Sequence, residues 1–513
     1  MESLVAYVLE IGLLAAALVY LYTKLYSPFN FWKKLGVPFV KPSYPIIGET
    51  SFLFKPMEDL GRSWYDTFPN EKFYGTFQLW KPVLIVRDPE LMENIMIKDF
   101  SHAYNRNNMV EPDTNPLAKH LVNYRDEKWK HLRNKLTPTF SSGKLKGMHP
   151  QLLACGDSFV KYLTKNPGDA QVKDLFGRFS MDVVSSVAFG LDLDVMNNPD
   201  SKFYEIGKSV FAPNFFVRFF FMLQSFLAPL YKKLGLNLLP KSMEKLFVDA
   251  VKQTLEYREK NNVTRQDYLH ILTELKKKDD ELVKNKELDP NSLDVFDEQS
   301  IISNSFVFFA AGYETTGSTL SYLFYELALN QDVQEKVYQE IKTVLEKHND
   351  ELTFEAVGEM TYVEQAINEA LRLHPPGVAG DRVITKDYQI PGTDVVLPKG
   401  TAVLMQVYGM HLDPKYFPEP HAFRPERFDP EKNEIIKGTY LPFGAGPRIC
   451  IAARFAKIEM KVCTAMLLKN FRVKQCSRTK VPHENDPRSF LLTPKDGIWL
   501  NFVKEKTTRR SCE

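Results

Sequence analysis

The chain begins with an almost unbroken apolar run from residue 3 to residue 23, in which Glu10 is the only charged residue. About 20 apolar residues is the length of one membrane-spanning helix, so the run predicts an N-terminal anchor over residues 1–25. Basic residues follow the run instead of preceding it, which predicts that the rest of the chain lies in the cytosol. A cleaved signal peptide is the alternative, but the basic leading region of such peptides is missing.

The next stretch, residues 26–48, is basic and rich in proline. Its turn-forming residues are Pro38, Pro42, Pro45 and Gly48. Prolines at this spacing disfavour regular structure, so we expect a stiff, non-helical connector leading to a single domain over residues 49–513. Trp32 lies in the connector and is expected at the membrane interface, where aromatic rings are enriched. The packed core is expected to begin after the connector.

Two short segments with strand-like composition follow, Phe73–Leu79 and Pro82–Val86. A proline at the first position of a helix is favourable, so a helix is predicted to start at Pro89. From there to about residue 373 the pattern is mainly helical, and residues 388–410 predict further hairpin strands. The expected fold class is therefore mainly α with a smaller β portion, an α+β arrangement.

A long helix is predicted from about Asp297 to Asn330, roughly 50 Å at 1.5 Å per residue. Its centre, residues 310–317, places two glycines, an acid and two threonine hydroxyls in an apolar helix. Glycine weakens the hydrogen-bond ladder and threonine bonds to a preceding carbonyl, so a local kink with room for a small molecule is predicted. A plain buried helix is the alternative, but interior polarity is costly unless it is used.

Composition narrows the class of protein only slightly. Charged residues make up 25% and hydrophobic residues 44% of the 513 residues, and the formal net charge is +2, which does not indicate a nucleic-acid partner. The cysteines show no paired spacing, which argues against a disulfide scaffold or a zinc site and for a reducing compartment. They are Cys155, Cys450, Cys463, Cys476 and Cys512.

Cys450 differs from the other cysteines because it ends a glycine- and proline-rich turn, residues 442–450, just before an Ala-rich helix. The unpaired N–H groups and positive dipole end of a helix N-terminus favour a thiolate, and the glycines let a flat ligand approach the backbone. Arg448 could reach an anionic group on that ligand. A buried, inert cysteine is the alternative.

Two further pairs share helix faces. Trp129 and Arg133 are four residues apart, so both could contact one ligand carboxylate. Glu369 and Arg372 are three residues apart and could form an ion pair, which alone indicates little because such surface pairs are common and weak.

Four segments together resemble the motifs of the cytochrome P450 family, in the order found there. Residues 443–452 are similar to Phe-x-x-Gly-x-Arg-x-Cys-x-Gly, with Ala452 in place of the last glycine. Residues 311–316 resemble the family's Ala/Gly-Gly-x-Asp/Glu-Thr-Thr/Ser motif, and the pairs above resemble its Trp-x-x-x-Arg and Glu-x-x-Arg motifs. The resemblance implies the family fold, with a haem between the long central helix and the cysteine-bearing loop and helix.

The resemblance also implies roles for single residues. Cys450 would ligate the iron of haem b, Thr315 would hydrogen-bond dioxygen, and Glu314 would relay protons from water. The other haem-binding residues would be Trp129 and Arg133 at one propionate, Arg382 at the second, and Phe443 and Arg448 of the cysteine loop. Glu369, Arg372 and Arg427 would lock the fold behind the haem.

The substrate pocket is predicted more loosely. Its expected lining residues are Phe306, Phe309, Ala311, Val378, Ala379, Phe490 and Leu491. The Phe-rich segment 212–239 is either a lid over the pocket, in contact with the bilayer, or part of the core, and its composition does not decide between the two.

The function implied is that of a membrane-bound monooxygenase of the endoplasmic reticulum, which inserts one atom of O₂ into lipophilic small molecules. The chain lacks a nucleotide-binding fingerprint, so the electrons of NADPH would come through a separate NADPH–cytochrome P450 reductase, with cytochrome b5 as a second candidate donor. A basic patch would receive the reductase: Lys128, Lys130, Arg133, Lys135, Arg454 and Lys457. The motifs are closest to the broad-specificity branch that includes insect and vertebrate detoxifying enzymes.

Two alternatives remain at this point. One is an oxygen-independent haem-thiolate isomerase or dehydratase, against which the Glu314–Thr315 pair argues. The other is a haem- or lipophile-binding protein without turnover.

Overall fold

The computed structural model describes residues 12, 15, 27–43, 55–107, 112, 115–211, 233, 241–432 and 434–505. The predicted anchor and the Phe-rich segment 212–239 therefore lie outside the described residues, apart from three single positions. Among the residues that are described, no helix combines the length and apolarity needed to cross a bilayer.

The secondary structure of the described residues is mainly helical. The α-helices are α1 Phe31–Lys34, α2 Met57–Asp66, α3 Pro89–Glu93, α4 Asp126–Leu136, α5 Ser142–Lys165, α6 Val172–Phe189, α7 Lys202–Phe211, α8 Lys241–Asn261, α9 Tyr268–Lys284, α10 Glu298–Leu329, α11 Gln331–Lys347, α12 Phe354–Glu359, α13 Thr361–Leu373, α14 Val407–His411 and α15 Ala453–Asn470. The strands are β1 Phe73–Gln78, β2 Lys81–Val86, β3 Gly168–Gln171, β4 Ala379–Val383, β5 Tyr388–Gln389, β6 Val396–Leu397, β7 Ala402–Gln406, β8 Phe471–Gln475 and β9 Trp499–Lys504.

The chain divides into two compact units, each formed by several segments. The first, here called the sheet unit, comprises residues 1–107, 378–410 and 444–448. The second, here called the helical unit, comprises residues 108–377, 411–443 and 449–513.

The sheet unit contains a four-stranded sheet in the order β1-β2-β7-β4. Strands β2 and β7 are parallel, whereas β1–β2 and β7–β4 are antiparallel. One face carries a core of Tyr74, Val83, Ile85, Ala402 and Leu404, with Trp64 and Phe68 packed against it. The two predicted strands over residues 73–86 are confirmed, as is the helix that begins at Pro89, where the Asp88 side chain caps Leu91 N–H at 2.9 Å.

The proline-rich connector is partly built into this sheet unit. Trp32 is completely buried, and its indole Nε1 donates to the Thr76 carbonyl at 2.8 Å. A Cβ at Gly75 would lie 2.3 Å from the Trp32 ring, so the indole needs a glycine on β1. The expectation that Trp32 lies at a membrane interface and that the core begins after residue 48 is therefore wrong. The connector also includes the short helix α1.

The helical unit is arranged around α10, which confirms the long helix predicted from the sequence. The Asp297 side chain caps its first turn by accepting from Ser300 N–H at 2.8 Å, and Asn330 ends it. Where α10 crosses α6, glycine is needed on α10. A Cβ at Gly312 would lie 2.7 Å from the Val184 side chain, and a Cβ at Gly317 would lie 3.2 Å from the Phe176 carbonyl oxygen. The two glycines thus allow close helix packing, and α10 runs without interruption through the segment where a kink was predicted.

The helical unit also holds a three-stranded antiparallel sheet in the order β3-β9-β8. Its strands come from distant parts of the sequence, and β8 follows directly on α15. The predominance of helices with small sheets agrees with the predicted fold class.

Candidate functional site

The cysteine loop, residues 442–452, has the tight turns that its glycines predict. Gly444 and Gly446 have φ values of +75° and +69°, in the left-handed region where a side chain is strained. Within the sheet unit, a Cβ at Gly446 would lie 2.0 Å from the Met96 carbonyl oxygen, so the close approach also requires glycine. The loop is therefore held in a single shape by backbone requirements.

Cys450 follows this turn and lies three residues before α15 begins. Its N–H donates to the Phe443 carbonyl at 3.0 Å, which closes the loop from within the helical unit. Of the four cysteines that the structure describes, Cys450 alone is exposed. Burial raises the pKa of the Cys155 and Cys463 thiols, which keeps both protonated. Cys450 is thus the described cysteine best placed to act as a thiolate ligand.

The predicted Trp–Arg pair on α4 lies beside this cysteine. Arg133 Nη1 donates to the carbonyl of Ile449, the residue before Cys450, at 2.9 Å. Trp129, one turn earlier on the same helix face, is 5% exposed. Arg133 therefore fixes the cysteine loop at the residue before Cys450, and the role of the pair at a propionate stays a prediction.

A second group of arginines lies in the sheet unit. Arg382 on β4 is 3% exposed and donates through Nη1 to the Asp381 carbonyl at 2.7 Å. Arg106 Nη2 donates to the Arg448 carbonyl at 3.3 Å, and Arg448 Nε donates to the Tyr104 carbonyl at 2.9 Å. Arg448 is thus held by Arg106, which the sequence analysis did not identify and whose charge also acts on Arg382.

This arginine group has unused donors. Within the described part of the chain, the buried Nε atoms of Arg382 and Arg106 have no hydrogen-bond partner. Burial, and then the charge of Arg106, lower the pKa of Arg382 to about 10. Buried like charges with unused N–H groups need an anion, and a carboxylate matches the geometry of guanidinium donors. The group therefore fits one of the propionates of a haem.

The accessible face of α10 carries small residues. Val307, Ala311 and Thr315 are four residues apart and form one stripe, with Ala311 exposed and the other two half-buried. The Thr315 hydroxyl donates to the Ala311 carbonyl at 2.6 Å, the back-bond expected for threonine in a helix. The hydroxyl oxygen keeps lone pairs with which it can accept a further hydrogen bond.

Glu314 points to a different side of the helix. It is 5% exposed, and its Oε1 lies 2.6 Å from Lys173 Nζ at the start of α6. Ser318 Oγ also donates to Oε1, at 3.3 Å. The predicted proton-relay acid is thus one partner of a nearly buried ion pair, a partner that no local motif indicates.

Two predicted pocket residues lie in an aromatic cluster of the helical unit. The Phe309 ring is 2% exposed and packs at centroid distances of 4.9 Å from Phe247 and 5.7 Å from Phe189. The Phe306 ring lies 5.0 Å from Phe247 in the same aromatic cluster. Both rings thus pack against Phe247 of α8, and their role in substrate binding stays a prediction.

The remaining predicted pocket residues are distributed over both units. In the sheet unit, Val378 is 2% exposed and packs against Gly61 of α2, so it too is a core residue, whereas Ala379 is half-buried. In the helical unit, Phe490 and Leu491 are half-buried at the tip of a loop. For these residues, as for Ala311, the role in substrate binding stays a prediction.

Glu369, Arg372 and Arg427 meet in the interior of the helical unit, each 2% exposed or less. Arg372 makes a two-point contact with the Glu369 carboxylate, at 2.7 and 2.8 Å, and Arg427 Nε donates to it at 3.2 Å. Arg372 also donates to the carbonyls of residues 411, 420 and 422. The trio ties the end of α13 to the segment before the cysteine loop.

Comparison with known proteins gives the class that these features define. The family model described as cytochrome P450 matches residues 41–501. Probable cytochrome P450 6a14 of Drosophila melanogaster is 37% identical over 96% of this chain and 99% of the relative. Cytochrome P450 6A1 of Musca domestica is 35% identical over 92% and 93%, and cytochrome P450 6B1 of Papilio polyxenes is 35% identical over 96% and 98%.

The chain therefore belongs to the cytochrome P450 family, and it is a haem-dependent monooxygenase. The fold class, the enzyme class, haem b as cofactor and the use of O₂ with NADPH-derived electrons are confirmed at the level of the family. A redox partner and a lipophilic substrate follow in general terms. The relatives are insect proteins of the cytochrome P450 6 group, which confirms the branch that the motifs indicated.

Proposed function

We propose that this protein is a monooxygenase of the endoplasmic reticulum membrane that oxidises lipophilic xenobiotics or endogenous lipids, hormones or terpenoids. The observation that carries the proposal is Cys450, exposed at the end of a glycine-constrained turn whose last carbonyl is held by Arg133. When bound, haem supplies the activation of O₂ that such oxidation needs.

Residues from both units of the chain are proposed to hold that cofactor. Cys450 would hold the iron through its thiolate, and Phe443 positions Cys450 through the carbonyl that accepts the cysteine N–H. In the helical unit, Trp129 and Arg133 would bind one propionate. In the sheet unit, Arg382, Arg106 and Arg448 would bind the other, since the unused N–H groups of the first two match a carboxylate.

Thr315 and Glu314 are proposed to take part in proton delivery. Thr315 lies on the accessible stripe of α10 and accepts or passes a proton through its hydroxyl. Glu314 is nearly buried against Lys173, so it exchanges protons only if this ion pair opens or if water reaches its second carboxylate oxygen. The two adjacent residues therefore have separate roles, because Thr315 presents a hydroxyl at the accessible face and Glu314 holds charge behind it.

The electron donor is proposed to be a membrane-bound NADPH–cytochrome P450 reductase, with cytochrome b5 as a second donor. Charged partners already occupy part of the predicted basic patch: Lys135 binds Asp279 at 2.6 Å and Lys457 binds Glu364 at 2.9 Å. Lys128 and Lys130 are the more available cations, although Lys130 lies 3.6 Å from Glu127. A reductase would therefore be attracted mainly by the α4 end of the patch.

Charge reversal tests this docking surface. Lys130→Glu should raise the concentration of reductase needed for half-maximal activity, and more so at low ionic strength. Lys342→Glu, at an exposed position of α11, is the matched control and should not change it. Equal effects of the two changes would show that α4 is not the docking site.

Oxygen insertion is tested with the holoenzyme, purified reductase, NADPH and isotopically labelled O₂. We expect products that carry one labelled oxygen atom from a panel of lipophilic compounds. Binding of each compound is measured beforehand as a spin-state shift of the haem. NADPH oxidation without any labelled product from every compound that binds would contradict the proposed activity.

A further inference from the structure

The segment that carries Phe490 and Leu491 is a closed loop over residues 484–495, here called the C-terminal loop. At its base, Lys495 N–H donates to the Glu484 carbonyl and Asp486 N–H to the Thr493 carbonyl, both at 2.8 Å. These bonds bring its two ends together as in a hairpin. The loop therefore moves as one body, and its anchoring points determine where its tip lies.

The tip is held by the buried side chains of Ser489, Leu492 and Thr493 and by a backbone hydrogen bond. Leu492 N–H donates to the Pro376 carbonyl at 3.0 Å, just after α13. Ser489 Oγ accepts from Leu491 N–H at 3.1 Å and stiffens the turn between them. A further hydrogen bond at the base of the loop restricts its orientation relative to this packed tip.

The second anchor is the Tyr322 hydroxyl, which donates to Asn485 Oδ1 at the base of the loop. Tyr322 is completely buried on α10, and Asn485 is 9% exposed. Tyr322 follows Thr315 by two helical turns, about 10 Å along the axis at 1.5 Å per residue. The helix that carries the accessible Thr315 stripe is thus the same body that holds the loop.

The Tyr322 ring itself has little freedom. It stacks on the His374 imidazole with centroids 4.3 Å apart and planes within 9°. His374 Nε2 lies 2.8 Å from the Glu326 carboxylate, one turn further along α10. The His483 ring lies 5.0 Å from both rings of the stack. An aromatic ring enclosed in this way presents its hydroxyl in one direction.

We infer that Tyr322 and Asn485 act as positioning residues that set the orientation of the C-terminal loop, and through it the site on a substrate that is oxidised. The inference rests on the proposed function, in which Phe490 and Leu491 line the substrate pocket. Neither Tyr322 nor Asn485 lies at the loop tip, and both act through the backbone of the loop.

A small movement of the tip is sufficient for this effect. The ratio of two products from one substrate depends only on the difference between two activation free energies. Misplacement of a reacting group by about 1 Å changes rates by up to about 100-fold. Product ratio is thus a more sensitive measure of loop position than stability or total activity.

Tyr322→Phe tests the inference because it removes the hydroxyl and keeps the stacked ring. Tyr325→Phe is the matched control: it removes a hydroxyl from the same helix, where the bond to the Lys480 carbonyl at 3.2 Å lies outside the loop. The probes are lauric acid and testosterone, each of which offers several C–H bonds. Loss of this anchor in Tyr322→Phe should shift a product ratio by about threefold or more.

The control variant should keep the wild-type ratio, and both variants should keep the wild-type haem content. An unchanged ratio in Tyr322→Phe, or an equal shift in Tyr325→Phe, would overturn the inference. If Tyr322→Phe does not assemble with haem, Asn485→Leu removes the acceptor instead and must give the same shift.

Phe490→Ala separates failure of the inference from failure of the proposed pocket. A changed ratio in Phe490→Ala with an unchanged ratio in Tyr322→Phe leaves the pocket in place and rejects the positioning role. Unchanged ratios in both Phe490→Ala and Leu491→Ala reject the pocket assignment of the loop, and the inference with it.

Discussion

Lys173 and Glu314 form a nearly buried ion pair between α6 and α10, with 2.6 Å between Nζ and Oε1 and side chains 18% and 7% exposed. Removing one partner of a buried pair leaves an uncompensated charge in the interior. Lys173→Met should therefore lower the free energy of unfolding by about 3 kcal/mol, measured by urea titration of the haem-bound protein.

Lys146→Met is the control for this change, because Lys146 forms an ion pair with Glu355 whose side chains are 60% and 56% exposed. Exposed pairs contribute about 0–1 kcal/mol, so its effect should be small. Equal losses in the two variants would show that the Lys173–Glu314 pair behaves as a surface pair.

Thr315 allows a test of proton delivery that leaves the fold intact. Thr315→Ala removes a hydroxyl that bonds only within α10 in the described contacts, so haem and substrate should still bind. A proton-relay side chain is typically worth about 10²–10⁴-fold in rate, so product formation should fall steeply. NADPH oxidation should fall less, and the difference should appear as hydrogen peroxide.

The measurement is product, NADPH and peroxide in one reaction. If the hydroxyl only stabilises the helix, Thr315→Ala would be less stable but would convert NADPH to product with the wild-type yield. Full coupling in the variant would refute the relay role.

Glu459 on α15 predicts an unusual dependence of stability on pH. The side chain is completely buried, and burial raises its pKa to about 8 against opposing hydrogen bonds from Ser180, at 2.8 Å, and Thr316. Between the unfolded pKa and this value the folded protein holds a proton that the unfolded chain has lost. Stability must therefore fall as pH rises, by up to about 1.4 kcal/mol per pH unit.

Glu459→Gln should remove this slope, so that the stability of the variant relative to the wild type increases from pH 5 to pH 8. The pKa of Glu355 is lowered, first by its hydrogen bond from Lys146, so its contribution is complete above the unfolded pKa. Glu355→Gln should consequently show no relative slope in the same range. Parallel curves for the wild type and Glu459→Gln would contradict a protonated Glu459.

Two changes in the N-terminal part of the chain separate loss of the predicted membrane anchor from loss of the buried Trp32 side chain. A chain that lacks residues 1–25 should leave the membrane, bind haem and fold, since Trp32 and its bond to Thr76 remain. Trp32→Ala in the same truncated chain should cost about 3–5 kcal/mol, because it empties a buried indole site. Loss of haem on truncation alone would contradict the predicted boundary.

The parts of the fold that the sequence predicted are those set by neighbouring residues. The two strands before Pro89 and the start and end of α10 depend on local alternation, on proline geometry and on the Asp297 cap. The tight turn before Cys450 follows likewise from its glycines. Such features need no knowledge of tertiary contacts.

The side-chain partners could not be predicted in the same way. Lys173 and Glu314 are 141 residues apart, and no spacing rule connects them. The sequence also could not show which face of α10 is accessible, because this helix is apolar on nearly every side. The packing of Phe309 against Phe247 could for that reason not be predicted, nor could the burial of Trp32 in the sheet unit.

The central claim, that Cys450 is the axial ligand of the haem iron, is tested most directly by the absorption spectrum of the reduced protein under carbon monoxide. The wild type should show the far-red-shifted Soret band of a thiolate-ligated haem, and Cys476→Ser should keep it. Cys450→Ser should lose the band while the protein remains folded. An unchanged band in Cys450→Ser would contradict the assignment and the haem site built around it.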